Sequence, residues 1–216
     1  MARKQTSTPD ARKALTEAGL RRAARALAER DRDLARVLER HGPPPLWARE
    51  PGFHTLVLII LEQQVSLASA RAAFGRLERL ASPLTPRSLL ALGDAELRAA
   101  GFSRQKTAYC RHLASLVSAG ELDIEGLARL PDEEARAALL RVKGVGPWTA
   151  DIYLLMALRR PDVWPTGDLA LAAAAQEVKR LPARPTSAAL DRLAESWRPF
   201  RAVAARLLWH HYLNRK

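Results

Sequence analysis

Asp168 is a candidate for electrostatic or acid–base catalysis. It follows a Thr-Gly pair and precedes the Ala-rich segment LALAAAA, so we predict that its carboxylate caps a helix that begins at Leu169. A carboxylate fixed in this way can stabilise a cation that develops beside it, and it can orient or deprotonate a water molecule. Helix capping alone also explains an Asp at this position, and the two roles are compatible.

A second candidate is the segment LLRVKGVGPWTA at residues 139–150. It predicts the end of one helix, a tight turn at Gly144-Val145-Gly146, and a new helix that opens with Pro147. The unpaired amides at the start of the new helix would face outward and bind a phosphate group. An ordinary helix–helix turn with a glycine C-cap explains the same letters.

The chain's charge favours a polyanionic partner. Its 216 residues carry 35 Lys and Arg against 23 Asp and Glu, a net charge of +12, and a protein this basic usually binds nucleic acid. The basic excess is concentrated at both ends of the sequence. A biased genome would produce a similar composition, so charge supports a DNA partner without establishing one.

Cysteine content and hydropathy exclude several other classes. Cys110 is the single cysteine, which excludes an internal disulfide, a four-cysteine iron–sulfur cluster and a cysteine zinc finger. The N-terminus lacks the apolar stretch of a signal peptide, and the apolar run from Leu56 to Leu61 is too short to span a bilayer. We therefore expect a cytoplasmic protein with no membrane association.

Apolar residues recur at helical spacing along almost the whole chain, which predicts an all-α fold. Breakers such as GPPP, SPLTP and RPD separate the segments, and we expect the first ten or so residues to be disordered. The predicted helices lie near residues 20–30, 32–41, 52–63, 65–80, 86–92, 94–100, 103–119, 132–141, 147–158, 168–181, 186–196 and 199–213.

Three motifs, in this order, resemble those of the helix-hairpin-helix DNA glycosylases. They are IILEQQVSLASA at 59–70, VKGVGPWTADIYLLMAL at 142–158 and WRPFRAVAARLLW at 197–209. The middle motif is most similar to the 3-methyladenine DNA glycosylase II family, and the resemblance covers nearly all of the chain beyond about residue 20. It implies two helical lobes that flank a cleft: a hairpin-bearing lobe at 51–156, and a second lobe formed by 1–50 and 157–216.

The same resemblance implies a mechanism. Asp168 takes the position of the catalytic aspartate, where it would stabilise the sugar cation left by an alkylated base that is already positively charged. Relatives that also cleave the DNA backbone carry a lysine in the helix after the hairpin, and this chain has Trp148 there. We therefore expect a monofunctional enzyme that leaves an abasic site, with Lys143 as a phosphate contact.

The resemblance also suggests residues for base flipping, which needs a pocket and a wedge. We expect Trp148, Trp209 and Ile152 to line the base pocket. Both tryptophans are also explained as core residues, and some relatives have an aromatic residue at the position of Ile152. The wedge is Gln64 or Gln63, although either is also explained as a helix cap.

Phosphate contacts are expected from Lys143, Gly144, Val145, Gly146 and Thr149. No cofactor or metal is expected, because the adjacent His210 and His211 would point in different directions on a helix. The expected partner is double-stranded DNA that contains alkylated bases, bound by a monomer. Two alternatives stay open: a non-catalytic helix-hairpin-helix DNA-binding protein, and a glycosylase for mismatched or oxidised bases.

Overall fold

The computed structural model describes residues 14–215, and within this range it contains α-helices and no β-strand, which confirms the all-α prediction. The expected disorder of the first ten residues falls outside the described range. No helix in that range combines the length and the apolar character needed to cross a membrane. The helices are α1 (Glu17–Arg30), α2 (Arg32–His41), α3 (Phe53–Glu62), α4 (Leu67–Leu80), α5 (Pro86–Ala91), α6 (Asp94–Ala99), α7 (Arg104–Ser118), α8 (Asp132–Leu140), α9 (Pro147–Met156), α10 (Leu169–Val178), α11 (Ser187–Ala194) and α12 (Arg201–Asn214).

Side-chain caps determine where several of these helices begin. Ser66 accepts a hydrogen bond from the N–H of Ser69, so α4 starts at Leu67 and leaves a short loop after α3. The short 3₁₀ segment Gly126–Arg129 was not predicted from the sequence, and a second one, Glu195–Trp197, overlaps the end of the helix predicted at 186–196. Such short pieces have no clear hydrophobic period.

The chain divides into two compact units. One comprises Arg49–Leu158 and contains α3 to α9, and the other comprises both chain ends, up to Ala48 and from Arg159 onward. We call them the hairpin unit and the terminal unit.

In the hairpin unit, the apolar helix α3 is buried against α4, α7 and α9. Hydrogen bonds fix both ends of α3: the N–H of Gly52 donates to the Tyr153 hydroxyl (3.0 Å), and Lys106 Nζ donates to the Leu61 carbonyl (2.6 Å). Burial lowers the pKa of Lys106. The loop after α3 therefore begins from a fixed point beside α7.

In the terminal unit, Asp31 connects α2 to α10 and to the segment before α12. Its carboxylate caps α2 and receives Lys179 Nζ at 2.6 and 2.7 Å. Trp197 Nε1 donates to the same carboxylate at 2.8 Å. Burial acts to raise the pKa of Asp31, but the hydrogen bonds from Lys179 and Trp197 outweigh it, so the pKa lies below its ordinary value of 3.8. These bonds hold the C-terminal end of α10, the helix that Asp168 caps at its other end.

Asp31→Asn should destabilise the protein by about 3 kcal/mol at pH 7, because it leaves the mostly buried Lys179 ammonium without its main counter-charge. Since the folded pKa of Asp31 is lowered, its contribution is complete above pH 4 or so and is lost as the pH falls through the folded value. Urea denaturation at pH 7 and pH 3 measures both effects, and the variant should show a smaller loss on acidification.

The matched control for this prediction is Asp94→Asn. Asp94 pairs with Arg111 but its side chain is 76% exposed, so the loss should stay below about 1 kcal/mol. Equal losses in the two variants would show that Asp31 is an ordinary surface ion pair.

Candidate active site and DNA-binding hairpin

Asp168 lies at the N-terminus of α10 with its carboxylate held by two donors. The N–H of Leu171 donates to Oδ1 at 2.8 Å, which is the N-cap bond expected from the sequence. Trp209 Nε1 on α12 donates to the same oxygen at 3.3 Å. Asp168 is 9% exposed, so a backbone N–H, an indole N–H and burial fix its orientation.

Trp209 is buried against Asp168 and does not offer an exposed ring face for stacking on a base. It is 8% exposed, and its one polar atom is hydrogen-bonded to Asp168. The structure gives this residue a direct role in orienting the carboxylate, which its expected role in the base pocket did not include.

Sequence reasoning missed two residues of the terminal unit near Asp168. Trp47, in the segment that follows α2, lies with its ring centroid 6.4 Å from that of Trp209 at an interplanar angle of 70°. Leu169, the residue after Asp168, is 74% exposed. Trp47 lies in a Pro-rich segment without helical period, so no pattern pointed to it.

The two glycines of the hairpin turn differ in why a side chain is absent there. Gly144 has φ +84°, and a Cβ there would overlap the ring of Tyr109 on α7. Gly146 has φ −89°, and a Cβ there would meet no atom within 4 Å. Gly144 thus closes the turn, whereas the absence of a side chain at Gly146 leaves open space before the first turn of α9.

The N–H of Val145, an expected phosphate contact, is hydrogen-bonded within the turn. Its N–H donates to the Val142 carbonyl at 2.9 Å, and its side chain is 5% exposed. In the described part of the chain, the N–H groups of Gly144 and Gly146 have no hydrogen-bond acceptor. Lys143 is exposed, and its own N–H donates to His112 Nδ1 at 3.0 Å. Lys143 and the two glycines thus stay as candidate phosphate contacts.

Gln63 and Thr149, which we expected as a wedge candidate and a phosphate contact, are hydrogen-bonded to each other. Gln63 Nε2 donates to the Gly144 carbonyl at 2.9 Å and to Thr149 Oγ1 at 3.0 Å. Thr149 is 4% exposed. The Gln63 side chain is therefore hydrogen-bonded to the hairpin in this structure, and the Thr149 hydroxyl is buried beside it.

Gln64 has the properties expected of a wedge. It is exposed and adopts φ +57°, a left-handed conformation that is uncommon for a residue with a side chain. Val65 and Leu67 beside it are 46% and 55% exposed. The loop thus presents one amide and two apolar side chains, with its base anchored by Gln63.

The remaining pocket candidates differ in exposure. Trp148 is partly exposed and lines a cavity of about 430 Å³ in the hairpin unit. Ile152 is 3% exposed and lies in the core, so nothing in its surroundings marks it as a pocket residue. The other residues that line the cavity include Gln63, Gln64, Lys106, Tyr109 and Gly146.

His210 and His211 lie near a third imidazole, that of His41. The His41 ring centroid is 5.8 Å from that of His210 and 5.5 Å from that of His211. Burial lowers the pKa of both His41 and His210, and the charges of His211 and Arg40 lower that of His41 further. Across residues 14–215, no cluster of three or more His, Cys, Asp or Glu side chains is arranged to hold a metal ion.

Comparison with known proteins relates the chain to DNA repair enzymes. The model of the "HhH-GPD superfamily base excision DNA repair protein" family matches residues 57–199. DNA-3-methyladenine glycosylase 1 of Schizosaccharomyces pombe is 30% identical over 193 residues, which are 85% of this chain and 82% of that protein. A Bacillus subtilis relative is 26% identical over 184 residues, and the chain spans 64% of its length.

Two solved structures have similar folds. DNA-3-methyladenine glycosidase from Bacillus halodurans superposes with a TM-score of 0.79 and 30% identity, with 89% of each chain covered. The 3-methyladenine DNA glycosylase of Schizosaccharomyces pombe, solved in complex with abasic DNA, gives a TM-score of 0.77 at 28% identity and covers 87% of this chain and 95% of its own.

Gly146→Ala should weaken binding to any duplex by about tenfold, because a methyl group in the open space would obstruct the approach of a phosphate to the backbone amides. The melting temperature should not fall, since nothing in the protein occupies that space. Fluorescence anisotropy with undamaged duplexes of two sequences, at one salt concentration, measures the effect.

Gly144→Ala serves as the contrasting variant. It should lower the melting temperature, because Ala is strained at φ +84° and its Cβ would overlap Tyr109. Unchanged DNA affinity in Gly146→Ala would contradict a phosphate contact at the Gly146 amide.

Proposed function

This chain belongs to the HhH-GPD superfamily of base excision DNA repair proteins, and on that premise we propose that it is a monofunctional DNA glycosylase that removes alkylated bases of the 3-methyladenine type from duplex DNA. The observation that carries the proposal is the carboxylate of Asp168, fixed by the N–H groups of Leu171 and Trp209. Helix capping accounts for the Leu171 bond, but a protein that only binds DNA needs no second donor to hold an anion, which repels phosphates. The names of its relatives support the substrate class.

The proposed reaction is hydrolysis of the N-glycosidic bond. An N-alkylated purine such as 3-methyladenine carries a positive charge, so it departs as a neutral base without a strong general acid. The sugar develops an oxocarbenium-like charge as its bond to the base breaks. Asp168 would stabilise that charge and orient or deprotonate the attacking water. Because donors on two helices hold its Oδ1, the carboxylate needs little reorganisation during the reaction.

The lysines of the described chain support a hydrolytic mechanism without a covalent intermediate. Trp148 stands where relatives with lyase activity have lysine. Lys179 lies at the far end of α10 from Asp168 and is bound to Asp31 and Asp33. Lys106 donates to the Leu61 carbonyl. Lys143 lies exposed beside the hairpin turn, and we assign it a phosphate contact.

The hairpin and the loop after α3 supply the proposed grip on DNA. The amides of Gly144 and Gly146, with Lys143, would bind a phosphate, and Gln64 would fill the gap left by the flipped base. Since one chain carries the hairpin, the wedge and the carboxylate, we propose that the protein acts as a monomer.

The direct test is release of free bases from duplex DNA treated with a methylating agent, with the products separated by chromatography. The wild-type protein should release 3-methyladenine, and Asp168→Asn should slow release by about 10³-fold while DNA affinity stays equal or rises slightly. Asn keeps an oxygen that can accept from Leu171 and Trp209, so the fold should persist. Turnover near the wild-type rate in this variant would contradict the role of Asp168.

Borohydride should not trap the wild-type protein on damaged DNA, because no lysine stands at the Schiff-base position. Incubation with labelled duplex and borohydride, followed by denaturing electrophoresis, makes the measurement, and a known bifunctional glycosylase is the positive control. A trapped product that disappears in Lys143→Gln would replace hydrolysis by a covalent mechanism.

A further inference from the structure

We propose that Trp47 supplies the aromatic face that receives the target base and discriminates cationic from neutral bases, whereas Trp209 is a positioning residue for Asp168. This inference rests on the proposed function, since it assigns the recognition step of the same reaction. The stacking role expected of Trp209, which lies in a sequence motif, is thereby assigned to Trp47, which lies outside the three motifs.

The backbone at Trp47 is unusual. Its φ is +47°, in the left-handed region that bulky side chains rarely occupy. The conformation is held from the preceding residue, because the buried Arg206 donates from Nε to the Leu46 carbonyl at 2.9 Å. Residues kept in such strained conformations cluster at ligand-binding and active sites. Arg206 lies one helical turn before Trp209, so α12 orients both Trp47 and the residue that holds Asp168.

Trp47 differs from the other three tryptophans of the terminal unit in exposure and in hydrogen bonding. Trp164, Trp197 and Trp209 are 3%, 1% and 8% exposed. Each donates its indole N–H to a carboxylate: those of Asp191, Asp31 and Asp168, in the same order. Trp47 is partly exposed, and in the described part of the chain no acceptor is found for its N–H. Its indole N–H therefore lacks the carboxylate partner that the other three tryptophans have.

The aromatic rings around Trp47 do not stack on its indole. Its plane is inclined by 70° to Trp209 and by 83° to His210, each with centroids 6.4 Å away. Neither neighbour lies parallel to the indole, so neither takes the position of a stacked base. The contact with Trp209 places the Trp47 ring one side chain away from Asp168.

The chemistry of an indole face fits the proposed substrate. Both a neutral and a cationic purine gain from stacking on an indole, but only the cationic purine is also attracted by the ring quadrupole. Replacement of Trp47 should therefore affect a cationic base more than a neutral one. Replacement of Trp209 should slow both alike, because it alters the orientation of the carboxylate that serves every substrate.

The test compares single-turnover excision of 7-methylguanine, which is cationic, and hypoxanthine, which is neutral, from otherwise identical duplexes. Trp47→Leu should lower the ratio of the two rate constants by about tenfold, and Trp47→Phe, which keeps a smaller aromatic face, should give an intermediate ratio. Trp209→Phe keeps a ring but loses the N–H, so both rates should fall with the ratio unchanged. An unchanged ratio in Trp47→Leu would overturn the proposal.

Two further measurements separate this inference from the proposed function. Melting temperatures and affinity for undamaged duplex show whether the variants fold. NMR titration of the free bases 3,9-dimethyladeninium and 9-methyladenine tests recognition without catalysis: the cation should bind more tightly, and Trp47→Leu should remove the preference. If the wild type excises no base, the proposed glycosylase function is contradicted, but this titration still tests whether Trp47 recognises cationic bases. No cation preference in the wild type would refute that role.

Discussion

The carboxylate of Asp168 receives N–H groups from two helices, and the functional arrangement of the terminal unit depends on this pair of hydrogen bonds. The Leu171 N–H belongs to the helix that Asp168 itself caps, so this bond ties the side chain to its own backbone. The Trp209 indole comes from α12 and ties the same oxygen to a second helix. A charge that must act on a developing cation is effective when it is already in place, and these donors provide that preorganisation.

The indole–carboxylate pair recurs in the terminal unit. Trp197 donates to Asp31 and Trp164 donates to Asp191, with distances of 2.8 and 3.0 Å. In each pair a large apolar ring is buried while its single donor is satisfied, which avoids the penalty of an unpaired polar atom. Against this background, the partly exposed Trp47 is the exception, because no carboxylate in the described part of the chain accepts its indole N–H.

In the hairpin unit, hydrogen bonds join the proposed phosphate site to the proposed wedge. Gln63 connects the loop after α3 to both the turn and the first helical residues of α9. Because this bond fixes the base of the loop, Gln64 and the apolar side chains beside it project from a rigid support. Lys106 strengthens the same junction through the Leu61 carbonyl. A phosphate bound at the hairpin would thus lie at a defined distance from the inserted side chain.

The sequence by itself determined the helical class, the hairpin turn, the cap at Asp168 and the family, because these depend on periodicity, on glycine and proline, and on motifs contiguous in the chain. It left open whether Gln63 or Gln64 is the wedge, since a sequence does not show which of two adjacent loop side chains points outward. It also could not distinguish a tryptophan that orients a carboxylate from one that meets a ligand. Both points depend on hydrogen bonds between residues far apart in sequence, such as Trp209 with Asp168 and Arg206 with the carbonyl before Trp47, and only the tertiary structure decided which residues form these bonds.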